Sequence, residues 1–208
     1  MDFQPLKYIY KASANADAYT ILLLHGTGGN ENDLLPLAAN FGKCYNILSV
    51  RGNVSENGMP RFFKRLGMGV FDEQDLDFRT DELVAFIKEI AIKEDFDSSK
   101  VIALGYSNGA NIAGSTLVKY PDFLAGAVLY RPMQPFKTIK SQGTERAIPV
   151  FFSSGIADPT IEPSATPIYV LTLEELGFKV DYHELPTGHN LTMDDIKLSA
   201  EWLEKNFN

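Results

Sequence analysis

The sequence predicts an α/β fold, a mostly parallel sheet of about seven strands with helices on both faces. Three observations carry that prediction. Short, continuously apolar runs alternate with segments whose apolar residues recur at helical spacing. The most distinctive loops, at His25, Arg51, Ser107, Arg131, Asp158 and His189, each begin just past an apolar run. In a parallel sheet that position is the carboxyl edge, where functional groups gather. Finally, the 208 residues are 45% hydrophobic and 22% charged, an ordinary globular composition without repeat, low-complexity tract or linker. One domain over residues 1–208 is expected, large enough to bury a substantial core.

The elements follow in order. Leu6 to Tyr10 alternates weakly, as an edge strand does, and Ser13 to Asp17 is a turn. Tyr19 to Leu24 is a continuous apolar run, the pattern of a strand covered on both faces. It runs into His25-Gly-Thr-Gly-Gly-Asn30, after which Leu34, Leu35, Leu37 and Ala38 predict a short helix. Tyr45 to Val50 is the next strand. From Asn53 to about Asp75 the pattern is irregular, and a loop of that length in a compact domain is functional or mobile. Leu83, Phe86, Ile87 and Ile90 form one apolar helical face. Val101 to Leu104 reads as a short buried strand, followed by Gly105-Tyr-Ser107-Asn-Gly109 and then by Ala110, Ile112, Ala113 and Leu117 at helical spacing. Ala125 to Tyr130 and Ile148 to Ser153 are further strands. Ile168, Leu171 and Leu176 suggest a helix stopped by Gly177. Lys179 to Leu185 is the last strand. The final helix puts Ile196, Ala200 and Leu203 on one face, with Asp194 and Asp195 in its first turn, where the helix dipole favours acids.

Composition narrows the function classes. The net charge of −8 repels nucleic acid and anionic membrane surfaces on average, so neither is an expected partner. No apolar run approaches the ~20 residues that span a bilayer, and the first residues lack a basic stretch followed by an apolar core. A lone cysteine, Cys44, excludes an intramolecular disulfide, and cytoplasm is the expected compartment. Three histidines and one cysteine, widely scattered, do not make a metal site, and no cofactor is expected.

The chemistry centres on Ser107. A strand, a sharp turn and a helix around Gly-x-Ser-x-Gly form a setting in which a serine is held out as a nucleophile, and Gly105 and Gly109 keep its neighbours small. A serine hydroxyl needs a base, and the base needs an orienting carboxylate. His189, in a Gly-containing loop after the last strand, is the expected base, and Asp158, at a strand end before Pro159, the expected acid. Glu162 and Asp181 remain rivals for the acid. His183 lies inside a strand and is read as structural, and His25 as shaping its glycine loop. Backbone N–H donors for a developing oxyanion are expected at Asn108, next to the nucleophile, and at Thr27, in the glycine loop.

Assembled, these residues resemble the α/β-hydrolase superfamily and, more narrowly, its phospholipase/carboxylesterase family, which includes acyl-protein thioesterases. The resemblance runs from about Tyr19 to Phe207 through Leu24-His-Gly-Thr-Gly-Gly29, Arg51-Gly52, Asn57-Gly58, Gly105-Tyr-Ser-Asn-Gly109, Gly155-Ile-Ala-Asp-Pro159 and Gly188-His189. It implies a triad at Ser107, Asp158 and His189, oxyanion donors at Thr27 and Asn108, and hydrolysis of small or medium acyl esters through an acyl-enzyme. Thioester or lysophospholipid hydrolysis at the same site is an alternative, and a non-catalytic ligand-binding protein a third. Three features depart from the family, one of them Arg61-Phe62-Phe63, which stands where Trp-Phe is usual and bears on the acyl-side wall. Asn108 stands where Gln is frequent, and Arg131-Pro-Met133 stands where a small residue and Gly are frequent, which bears on substrate preference.

Phe62, Phe63, Met68, Phe71 and Met133 either line an apolar pocket or anchor the long loop to the core. That loop is too short for a large lid domain, so an open, shallow cleft and a small ester substrate are expected. Arg51, Arg61 and Arg131 could receive an anionic group, with a solvated or structural role favoured for each. The pattern is compatible with a monomer or a homodimer.

Overall fold

A computed structural model describes residues 3–67 and 69–208. Its main sheet has seven strands: β1 (Lys7–Lys11), β2 (Thr20–Leu24), β3 (Asn46–Arg51), β8 (Val101–Tyr106), β9 (Gly126–Tyr130), β10 (Pro149–Gly155) and β11 (Lys179–Leu185). They lie in the order β1-β3-β2-β8-β9-β10-β11. Only β1 is antiparallel to its neighbour, β3; the other pairs are parallel. β8 is therefore central, with β2, β3 and β1 on one side and β9 to β11 on the other.

Five helices cover the sheet: α1 (Leu35–Ala38), α2 (Glu73–Lys93), α3 (Asn108–Lys119), α4 (Ala165–Glu175) and α5 (Met193–Phe207). Successive strand residues point to opposite faces, and β2 shows the consequence. Leu22 and Leu24 pack with Leu83, Phe86 and Ile87 of α2, Leu117 of α3 and Leu173 of α4. Ile21 and Leu23 pack on the other face with Ala38 of α1 and Trp202 and Leu203 of α5. Each large apolar side chain fully buried in these two layers contributes about 1.5–3 kcal/mol. Two of the helix starts, those of α2 and α5, carry side-chain caps. The Asp72 carboxylate accepts the Asp75 N–H at 3.1 Å, and Thr192 and Asp195 form a reciprocal capping box on α5.

Two expectations are corrected. The segment read as irregular from Asn53 to about Asp75 contains two small antiparallel hairpins, β4 (Val54–Glu56) with β5 (Met59–Arg61) and β6 (Arg65–Gly67) with β7 (Val70–Phe71), and α2 already begins at Glu73. The first turns of α2 escaped an apolar reading because their inner face includes acids: Asp75 and Glu82 are buried beside Arg79, 3.7 and 2.8 Å away. The second correction concerns α4, which buries Tyr169, Val170 and Leu173 while Ile168 and Leu171 are exposed. Gly177 stands just past its end with φ +88°, as the sequence suggested.

Candidate active site

Ser107 sits between β8 and α3 with φ 52° and ψ −111°, a conformation that costs a non-glycine residue energy and persists only when its surroundings enforce it. They do. The Ser107 N–H donates to Tyr130 O on the adjacent strand at 2.9 Å, and its carbonyl accepts the Asn111 N–H at 2.9 Å. The turn also presses backbone on backbone. A Cβ at Gly109 would strike the carbonyl oxygen of Leu24, and one at Gly105 the backbone of Gly109 and Ala110.

The side chains expected around Ser107 converge. His189 Nε2 lies 2.9 Å from Ser107 Oγ, and its Nδ1 lies 2.7 Å from Asp158 Oδ2. A carboxylate can only accept, so Nδ1 carries the proton and Nε2 offers its lone pair to the serine hydroxyl. The other Asp158 oxygen accepts the Thr160 N–H at 2.9 Å and the Thr160 hydroxyl at 2.7 Å. Burial alone would raise the Asp158 pKa. The hydrogen bonds from Thr160 and His189 outweigh it and hold the carboxyl below its usual range. The rival acids are elsewhere: Asp181 pairs with His183 at 3.1 Å, and Glu162 accepts from Ser164 at 3.4 Å. His183 stacks on Phe151.

Arg131 holds the His189 loop from below, a structural role whose partners the sequence did not reveal. Its side chain is fully buried and forms a two-point pair with Asp195, Nη1 to Oδ1 and Nη2 to Oδ2, both at 2.8 Å. The same guanidinium donates from Nε to Gly188 O and from Nη2 to Asn190 O, each at 3.1 Å. The imidazole is thereby bracketed through the carbonyls on either side of it. Burial pushes the Asp195 carboxyl upward, but Arg131, Ser153 and the Thr192 N–H bring it below its usual value. The available signal was an arginine at a strand end where a small residue and Gly are frequent; in the structure its φ is 53°.

On the other side of Ser107, the glycine loop is arranged as a donor surface. Gly28 N–H is used by Pro60 O and Gly29 N–H by Gly26 O, whereas among the described residues the Thr27 N–H meets no protein acceptor. Asn108 is the first residue of α3, so its N–H has no partner within the helix. Its side chain is not idle, contrary to a purely backbone role: Oδ1 accepts the Phe62 N–H at 2.8 Å and ties the long loop to the elbow. His25 shapes the loop as expected. It accepts the Gly52 N–H at Nε2, 3.0 Å, so its proton is on Nδ1, donated to Gly26 O at 2.7 Å, and burial lowers its pKa.

Residues 19–184 match the family model described as the alpha/beta hydrolase fold. The chain belongs to the alpha/beta hydrolase fold family. It is 44% identical to the putative hydrolase MhqD of Bacillus subtilis (strain 168) over 200 residues, covering 96% of this chain and 98% of that protein. Its structure is similar to that of the Bacillus cereus carboxylesterase, with a TM-score of 0.94, 44% identity and coverage of 97% and 95% of the two chains. It is also similar to YahD solved with malic acid, at a TM-score of 0.91, 31% identity and coverage of 97% and 99%.

In this alpha/beta hydrolase a cleft of about 210 Å³ opens beside Ser107 and His189. Thr27 and Asn108 line it, and its apolar wall is Phe71, Met133 and Ile161. Phe62 and Phe63, candidates for that wall, are instead loop anchors in the core. Phe62 packs on the His25 ring at 4.7 Å and Phe63 on the Phe71 ring at 5.0 Å, both nearly inaccessible. Met68 lies outside the described residues. Arg51 pairs with Glu31, away from the cleft wall. Among the described residues no group of three His, Cys, Asp or Glu side chains is placed to hold a metal ion.

Proposed function

We propose that the chain is a serine carboxylesterase acting on small or medium acyl esters. The observation that carries the reading is the continuous relay from Asp158 through His189 to a serine hydroxyl, with 2.7 and 2.9 Å links, on a strained strand-to-helix turn. On this reading Ser107 Oγ attacks the ester carbonyl while its proton passes to His189 Nε2. The tetrahedral oxyanion is held by the N–H groups of Thr27 and Asn108; one such donor is worth about 3–4 kcal/mol of transition-state stabilisation. The ester C–O bond then breaks, and the proton on His189 goes to the departing alcohol. Water repeats the sequence in reverse roles and releases the acid. Asp158 keeps the imidazole in the required tautomer and supports its positive charge. The carboxylesterase of Bacillus cereus, alike over nearly the whole chain, supports the choice of ester substrates.

The test is turnover of a small chromogenic ester together with fluorophosphonate labelling. Wild-type protein hydrolyses the ester and is labelled once, at Ser107; Ser107→Ala does neither while keeping its thermal melt. Equal turnover by the alanine variant refutes the assignment.

A further inference from the structure

The walls of the cleft carry an unusual charge for so acidic a protein. The chain has net charge −8. Yet the charged residues lining the cleft are Arg61, Arg65 and Arg131, the last with its side chain turned into the protein, and no carboxylate is among the described residues that line it. Arg131 is neutralised by Asp195. Arg61 and Arg65 instead share one acid: Glu56 lies 3.4 Å from Arg61 Nη1 and 2.9 Å from Arg65 Nε. Among the described residues, both guanidinium groups thus meet the same carboxylate.

Arg61 is also held rigidly. Its Nε donates to Phe63 O at 3.1 Å and its Nη1 to Thr27 Oγ1 at 2.6 Å, so the plane of the guanidinium is fixed before any ligand arrives. Its side chain is 4% exposed. Burial first, and the neighbouring Arg65 second, push its pKa down, and Glu56 offsets them only in part. A preorganised guanidinium lining a small cleft is a receptor for a carboxylate.

Topology says which end of an ester would bring that carboxylate. Arg61 and Arg65 come from the hairpins that follow β3, on one side of β8, whereas His189 and Asp158 come from the loops after β11 and β10, on the other. The leaving alcohol takes its proton from His189 and belongs on that side, so the acyl chain extends toward the arginines.

We propose that Arg61 and Arg65 form an anion subsite, making the preferred substrates esters of short dicarboxylic acids whose second carboxylate is free. This inference deepens the esterase reading and rests on it for the word substrate; the subsite itself is a binding property. The experiment compares monomethyl succinate with methyl isocaproate, its neutral isostere, by methanol release, and measures binding of free succinate by calorimetry. Wild-type kcat/KM favours the succinate ester by roughly tenfold, the scale of one charge-assisted hydrogen bond. Arg65→Gln reduces both that preference and succinate affinity. Glu56→Gln, which removes the shared counter-charge, increases both, an opposite shift that mere loosening of the hairpins would not produce. Equal turnover of the two esters with no succinate binding overturns the subsite and leaves the esterase standing. If neither ester is turned over and Ser107 is not labelled, the esterase reading fails. The subsite is then decided by calorimetry alone: it holds if succinate binds with the two opposite shifts, and falls if succinate does not bind.

Discussion

Replacing Arg131 by methionine tests the support beneath His189. Methionine keeps much of the aliphatic volume and removes the guanidinium, and with it the two bonds to Asp195, the bond to Ser153 Oγ at 2.8 Å and the grips on Gly188 O and Asn190 O. Asp195 remains buried and charged. Breaking a buried pair from one side costs about 3–5 kcal/mol. Here the low end applies, because Asp195 still accepts from Ser153 Oγ at 2.7 Å, Thr192 N at 2.8 Å and Thr192 Oγ1 at 2.9 Å. At about 2–4 °C per kcal/mol for a chain of this size, the melting temperature falls by roughly 6–12 °C. A shift of about 1 Å in the imidazole lowers kcat by about 10². Calorimetry at neutral pH and kcat on a small ester read the two effects. The double variant Arg131→Met/Asp195→Leu separates them: with no charge left unpaired it regains part of the stability, less the cap that Asp195 gives α5 and the acceptor it gives Ser153, but not kcat, because the two carbonyls are still ungripped. A single variant that melts with the wild type and turns over at the wild-type rate refutes the reasoning.

Three further outcomes are expected. Asp158→Asn keeps its circular dichroism spectrum but loses on the order of 10⁴ in kcat, since the amide favours the wrong imidazole tautomer; a loss under tenfold would remove Asp158 from the relay. Gly109→Ala drives a methyl group into the Leu24 carbonyl and lowers stability by roughly 3 kcal/mol or prevents folding, read by urea denaturation. His25 has a pKa lowered by burial, so the unfolded chain binds its proton more readily than the folded one. Its contribution to stability is therefore present above the unfolded value of about 6.5 and fades as pH falls through the lower folded value. His25→Gln, whose amide can serve both Gly26 and Gly52, flattens that part of the decline in melting temperature.

How much the sequence reveals depends on whether a residue's partner is local. The strands of the main sheet were legible because β2, β8 and β9 are buried on both faces and so are apolar without interruption. Ser107, Asp158 and His189 were legible because their chain order and their place at strand ends do not depend on packing detail. The helical face of α4 was not, since Ile168, Tyr169, Val170, Leu171 and Leu173 offer apolar residues all round and only the tertiary contacts choose among them. Nor was the destination of Phe62 and Phe63, which is decided by a hydrogen bond from Phe62 N to Asn108, 46 residues away. Arg131 was read as solvated or structural; its structural role became specific only with Asp195, 64 residues on, in view.

The grip of Arg131 on the His189 loop has a consequence for how this enzyme could be reshaped. The guanidinium holds main-chain oxygens at positions 188 and 190, atoms that every amino acid supplies. The Asn190 side chain is exposed, and a Cβ at Gly188 would meet only the Ala157 oxygen at an ordinary 3.5 Å. Both positions flanking the imidazole are thus open to diversification: libraries at 188 and 190 can vary the side chains beside it while the His189 ring stays in register with Ser107.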